Sequence, residues 1–194
     1  MKLIDNSLPS FRVTGKLPQW AYWSIAAVFF ALSWFGVNGW ARAYALHDLS
    51  NRVDEWSDEG VLIQETNYTC VPSSLVMLLK NREINITTLD ATRVAGTSFF
   101  GTDGSGIIKA GKHYGFDVHN RKIGAEELLS LNEEVIVIFR YKGIMHAAAV
   151  APIADKGMFD VRDSVEGRML FTKDEADKYF GGEKWNCYIF EKAD

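Results

Sequence analysis

The chain has two thiols, Cys70 and Cys187, and they stand in different company. After Cys70 the apolar residues Val71, Leu75, Leu78 and Leu79 recur at i, i+4, i+7 and i+8, the stripe of an amphipathic helix beginning at the cysteine and running to Lys80. Pro72 fits its first turn, where a missing N–H costs nothing. Backbone N–H groups at a helix N-terminus favour an anion, so a thiolate at Cys70 is stabilised and makes a candidate nucleophile. Cys187 lies in an apolar strand between Trp185 and Tyr188 and reads as inert filler.

A thiol nucleophile needs a base. Of His47, His113, His119 and His146, only His146 opens an apolar strand, His146-Ala147-Ala148-Ala149-Val150, whose alanines let another element approach closely. His119 alternates with Val118 and faces solvent, His113 ends a short helix, and His47 follows the apolar N-terminal run. The next strand, Met158 to Arg162, runs into Asp163-Ser164. A short hairpin lays the start of one strand beside the end of the other, so His146 and Asp163 can be neighbours, and a carboxylate there fixes the imidazole tautomer and stabilises imidazolium. Asp160 is the rival carboxylate, inside the strand rather than at its end. Gln64, six residues before Cys70 on the loop leading into the helix, could join the Cys70 backbone N–H as an oxyanion donor.

These residues must be carried by ordered elements. Short helices are expected at Thr88–Ala95, at Gly106–Tyr114 with Ser105 as N-cap and Gly115 as stop, at Gly124–Leu131 and at Thr172–Phe180. Strands are expected from Phe116, over Val135–Phe139, Met145–Ile153 and Met158–Arg162, and last over Trp185–Phe190. Helices come first and short-linked strands second, which indicates an α+β fold with an antiparallel sheet against a helical layer.

Gln64, Cys70, His146 and Asp163 together resemble the bacteriocin-processing cysteine peptidases, the family that removes double-glycine leader peptides. The stretch Gln64-Glu65-Thr66-Asn67-Tyr68-Thr69-Cys70-Val71-Pro72-Ser73-Ser74-Leu75 carries the resemblance, with a histidine 76 residues after the cysteine and an aspartate 17 beyond that. The chain has Thr69 and Val71 where transporter-fused members usually carry an acidic residue and a glycine, and Ser164 where proline commonly follows the aspartate. The resemblance, over about Val61 to Phe190, implies a papain-like fold. It also implies a thiol peptidase that needs no cofactor, cleaves a peptide or leader substrate after small residues such as Gly-Gly, and works beside a secretion system. Two rivals remain: an amidase or acyltransferase with the same Cys-His-Asp chemistry, and a degenerate fold that only binds a leader. No pair of histidines has metal-ligand spacing such as His-x-x-x-His.

From Leu17 to Ala41 there is no charged side chain, a run of 25 residues bounded by Lys16 and Arg42. It holds Trp20, Trp23, Trp34 and Trp40, gathered at its ends as aromatic rings gather at headgroup level. We expect a transmembrane helix over 17–41, an N-terminal flank 1–16, a juxtamembrane linker 42–59 and a peptidase domain 60–194. A cleavable signal peptide is the alternative, since Ala41-Arg42-Ala43 and Ala43-Tyr44-Ala45 resemble cleavage sites. An interfacial helix would need a charged face, and the run has none. Lys2, Arg12 and Lys16 against Arg42 and Arg52 favour a cytoplasmic N-terminus and an extracytoplasmic domain, as on a bacterial inner membrane.

The 194 residues allow one domain and an appendage, and 47% hydrophobic against 24% charged content excludes a disordered chain. A net charge of −4 argues against a nucleic-acid partner, which needs a basic face. Two cysteines exclude a disulfide scaffold and a four-thiolate zinc site. An ATP-driven transporter would need several spans and a nucleotide-binding domain.

Overall fold

The computed structural model describes residues 18–193. The basic flank Lys2, Arg12 and Lys16, and Leu17 at the start of the apolar run, lie outside the described residues. The chain divides into two compact units, one ending at Val37 and one beginning at Asn38. Helix α1, Gln19–Leu49, contributes to both. In the first unit it is apolar on every side, with Trp20, Trp23, Phe30 and Phe35 each more than 70% exposed. It is the one helix among the described residues long and apolar enough to cross a membrane.

In the second unit the helix changes character. Residues 42–49, in the stretch expected as a juxtamembrane helix or linker, are its last turns. Ala41, Ala45 and Leu49, spaced one turn apart, are buried, and Ala45 and Leu49 form a small core with Tyr68 and Leu89. The backbone N–H of Phe99 donates to the carbonyl of Ala41 at 3.1 Å. A two-stranded ribbon follows, β1 Glu55–Trp56 with β2 Leu62–Ile63.

Helix α2, Cys70–Asn81, is buried on all sides from Val71 to Leu79, more than a single apolar stripe requires. The reason is its central position, against the sheet, β2 and helix α3, Thr88–Ala95. Helix α4, Gly104–His113, is capped by Asp103, whose carboxylate accepts from the Gly106 N–H at 2.8 Å. The expected cap, Ser105, instead donates its hydroxyl to that carboxylate at 2.6 Å. The helix begins at Gly104, two residues earlier than expected, so Asp103 takes the cap position and Ser105 falls inside the first turn. Gly115 follows the helix at φ +85°, the left-handed region that a stop requires.

Strand β3, Phe116–Ile123, leads into helix α5, Ala125–Leu131, and then β4, Val135–Tyr141, and β5, Ile144–Ile153. Lys142 and Gly143, both at positive φ, make the two-residue turn between β4 and β5. After β6, Met158–Asp163, comes β7, Gly167–Thr172, which the sequence reading missed. β7 is an edge strand in which Leu170 faces solvent and Met169 and Phe171 face inward, so apolar residues occur on both faces and the alternation is masked. Helix α6, Lys173–Phe180, and strand β8, Trp185–Lys192, complete the chain. Among the described residues the sheet has six strands, all neighbours antiparallel, in the order β3-β8-β4-β5-β6-β7.

The period of two in the strands builds two cores. Ile136, Ala147, Ala149 and Phe190 face α2 and α4. Val135, Val137, Ala148, Val150 and Val161 face α5 and α6. The fold is therefore the α+β arrangement expected, except that helices cover both sheet faces rather than forming one layer. Ala147 and Ala149 are where α2 comes closest to the sheet, which explains the run of small residues after His146.

Candidate active site

Cys70 is the first residue of α2 and is half-buried. As a first-turn residue its backbone N–H has no partner within the helix. The preceding residue, Thr69, makes no side-chain cap bond; its hydroxyl instead donates to the carbonyl of Thr66 at 3.0 Å. The donors at the head of α2 are thus not covered by the side chain best placed to cap them.

His146 is the third residue of β5 and is 3% exposed. Its Nε2 lies 2.9 Å from each carboxylate oxygen of Asp163, the last residue of β6, which is fully buried. The register explains the pairing. Ala149 lies opposite Arg162, so Asp163 lies opposite Ala148, and His146 is two residues further along the same face. Asp160 is three residues from Asp163 and so faces the other way. It is held by Arg168 at 2.8 and 3.0 Å, with Arg162 3.7 Å away.

Asp163 also accepts from the N–H groups of Val165 at 2.8 Å and Glu166 at 3.2 Å and from the Tyr179 hydroxyl at 2.8 Å. Burial opposes its ionisation, but the bond to His146 and these donors prevail and hold the carboxyl below its usual range. Burial likewise opposes charge on His146. The bond to Asp163 and the neighbouring Cys70 outweigh it and raise the imidazole to about 9. The Cys70 thiol lies beside the ring, and both residues line a cavity of about 110 Å³ with Tyr68, Phe100, Gly101 and Met145. With Nε2 held by the carboxylate, Nδ1 is the nitrogen left for the thiol. The rings of Phe139 and Tyr141 stand 5.5 Å from the imidazole and restrict its rotation.

Gln64 is tied to the residue after Asp163. Its side-chain Oε1 accepts from the Ser164 hydroxyl at 2.8 Å, and its backbone N–H donates to the Ser164 carbonyl at 3.0 Å. The loop from Gln64 to Cys70 is braced from outside by Asp48 on α1, which accepts from the Tyr68 hydroxyl at 2.5 Å, and by Arg52, which bonds Glu65 at 3.0 Å.

The structure thus brings Cys70, His146 and Asp163 together and fastens Gln64 to the same strand end. Cys187 is fully buried in the second core, and burial pushes its thiol up to about 12. His119 is exposed near Glu191, and His113 packs on Tyr114. The sequence reading did not single out Tyr179 or Ser164. Tyr179 carried no signal, being one of two adjacent aromatics on a short helix, whereas Ser164 was visible as the neighbour of Asp163. Among the described residues no three His, Cys, Asp or Glu side chains converge as metal ligands do.

A thiol at the head of a buried helix, set against an imidazole and a carboxylate from an antiparallel sheet, has the layout of a cysteine-peptidase fold. The chain belongs to the Peptidase C39 family, whose model matches residues 58–184. It is similar in sequence to two proteins described only as uncharacterized, from Methanothermobacter thermautotrophicus and Methanothermobacter marburgensis. Each is 26% identical, over 70% and 71% of this chain and 90% and 92% of theirs. In fold it is similar to the peptidase domain of Streptococcus ComA, a bifunctional ABC transporter in a quorum-sensing pathway. That match has a TM-score of 0.56 and 19% identity over 68% of this chain and 96% of that one. It is also similar to a double-glycine-motif protease from an AMS/PCAT transporter, solved with its leader peptide. There the TM-score is 0.58 and the identity 18%, over 73% of this chain and all of that one.

Proposed function

We propose that the chain is a thiol peptidase that cleaves a peptide or leader sequence after small residues such as Gly-Gly. Cys70 is the nucleophile, His146 the base and then the acid, Asp163 the group that orients it, and Gln64 an oxyanion donor. The observation that carries this reading is the thiol of Cys70 beside an imidazole whose other nitrogen is held 2.9 Å from both oxygens of Asp163.

Cys70 sulfur, whose proton His146 already carries in the resting pair, attacks the scissile carbonyl carbon. The oxyanion that forms accepts from the Cys70 backbone N–H and from the Gln64 amide. Collapse expels the amine, which takes the proton from His146 and leaves a thioester on Cys70. Water, deprotonated by His146, then hydrolyses the thioester and restores the thiol. Asp163 remains ionised throughout, and no step calls for a cofactor. The small cavity beside the thiol suits glycine-sized residues at the cleavage point. A related domain was solved with a leader peptide bound, which supports the same substrate class here.

The apolar run 17–41 is the proposed single-pass anchor, with the juxtamembrane residues 42–59 and the peptidase domain 60–194 on the extracytoplasmic side, beside a secretion system. An exposed all-apolar helix surface of this size needs a lipid cover.

The test is cleavage of an internally quenched Gly-Gly peptide by the full chain in detergent, with products identified by mass. Cys70→Ala and His146→Ala should each abolish cleavage. Cleavage undiminished in Cys70→Ala would sink the proposal. Acyl transfer to a non-water acceptor without hydrolysis would assign the chain to the acyltransferases instead.

A further inference from the structure

A side-chain amide is two-faced. One end accepts and the other donates, and the two are nearly the same shape. A glutamine serves as an oxyanion donor only if its NH₂ end is presented. Turned over, it presents a carbonyl oxygen that repels the developing charge. The amide must therefore be held in place.

The Ser164 hydroxyl donates to Gln64 Oε1 at 2.8 Å, and Ser164 is 3% exposed, so water does not compete freely for that bond. The backbone N–H of Gln64 donates to the carbonyl of the same serine at 3.0 Å, which holds the two residues in register. With Oε1 held at Ser164, Nε2 is the end left for the acyl oxygen, and the two bonds to one serine keep the amide in place. Ser164 directly follows Asp163, so one dipeptide at the end of β6 touches both the imidazole and the amide.

We infer that Ser164 is a positioning residue that holds the Gln64 amide in place, so that Asp163 and Ser164 together align the proton carrier and the oxyanion donor. The inference rests on the proposed role of Gln64 and goes beyond it by naming what fixes that residue.

The experiment compares Ser164→Ala, Ser164→Thr, Gln64→Ala and Ser164→Ala/Gln64→Ala in the full chain. The substrates are the internally quenched Gly-Gly peptide and, as an acyl donor free of leader specificity, the p-nitrophenyl ester of acetylglycine. Gln64→Ala should lower kcat by roughly 10²–10³-fold. Ser164→Ala should lower kcat by roughly tenfold, less than loss of the donor itself, with KM unchanged. Alkylation of Cys70 by iodoacetamide, which forms no oxyanion, should keep its rate in both. Ser164→Thr, which retains the hydroxyl, should recover most of the loss. The double variant should be no slower than Gln64→Ala, because Ser164 acts only through Gln64.

Wild-type kcat in Ser164→Ala beside a slow Gln64→Ala would overturn the inference and leave the oxyanion role of Gln64 standing. So would a double variant slowed by the product of the two single effects. Wild-type kcat in Gln64→Ala would remove the oxyanion role and the inference with it. The ester reads the pair even where the Gly-Gly peptide is not cleaved.

Discussion

At the scale of single residues, the site depends on a charge balance that pH can test. His146 is raised to about 9 because Asp163 and Cys70 outweigh its burial. Its folded value lies above the ordinary imidazole value of 6.5. The stabilisation it brings is therefore complete below about 6.5 and is lost as pH rises through about 9. Asp163 is lowered, so its contribution is present above the ordinary carboxyl value of 3.8 and is lost as pH falls through its lower folded value. The alkaline limb of kcat/KM should accordingly fall near pH 9, where the imidazolium loses its proton. In Asp163→Asn that limb should shift downward and turnover should drop severely, whereas Asp160→Asn, held by Arg168 on the other face, should turn over normally. A limb that stays near 9 in Asp163→Asn would remove the carboxylate from its role. The two cysteines give a second test. Cys70 lines a cavity beside an imidazolium, while Cys187 is fully buried and pushed up to about 12. Brief iodoacetamide treatment followed by peptide mapping should find Cys70 labelled at least tenfold faster. Equal labelling would remove Cys70 as nucleophile.

At the scale of elements, packing overrides local preference where α4 lies on the sheet. Gly111 is a helix-interior residue, and alanine there should gain about 1 kcal/mol of helix propensity. Its space is already filled. A Cβ on Gly111 would meet Val118 Cγ2 at 2.1 Å and the Phe190 ring at 3.0 Å. Phe190 is fully buried, and overpacking of this kind costs about 1–3 kcal/mol. Gly111→Ala should therefore destabilise the protein, by about 1–2 kcal/mol in denaturant unfolding. A more stable variant would mean that α4 can lift from the sheet without cost. The same competition explains which elements the sequence foretold. Strands β4 and β5 carry strong β-formers and small residues in unbroken runs, and they form as expected. The edge strand β7 shows apolar residues on both faces and was hidden.

At the scale of the whole molecule, α1 raises the question of what remains attached to the peptidase domain. Ala41 and Ala45 are buried, the Ala41 carbonyl accepts from Phe99, and Asp48 holds Tyr68 at the cavity wall. Cleavage after Ala43 or Ala45 would sever Ala41 from the domain that buries it. The chain should therefore fractionate with membranes at its full mass. A soluble mature protein starting near Leu46 would show a signal peptide instead. The same contacts predict that a chain beginning at Gly60 melts at a lower temperature than one beginning at Asn38, because it loses the packing of Ala45 and Leu49 on Tyr68 and Leu89.

The sequence by itself determined the parts of this protein whose physics is local or strictly periodic. The apolar stripe after Cys70 specified a helix, and the helix start marked the thiol. The unbroken apolar runs of β4 and β5 specified strands, and the hairpin order brought His146 within reach of a carboxylate at the end of β6. The uncharged run before Arg42 specified one long apolar helix. The sequence preferred Asp163 to Asp160 by its place at the strand end, and only the tertiary structure supplied the register that puts Asp163 on the face of His146, because register is set by cross-strand packing and a shift of one residue exchanges the two faces. Tertiary structure alone brought Tyr179 onto Asp163 and Ser164 onto Gln64, contacts between residues 16 and 100 positions apart. It also decided that α2 is buried all round and that the end of α1 belongs to the peptidase domain, since burial depends on what else arrives at a surface.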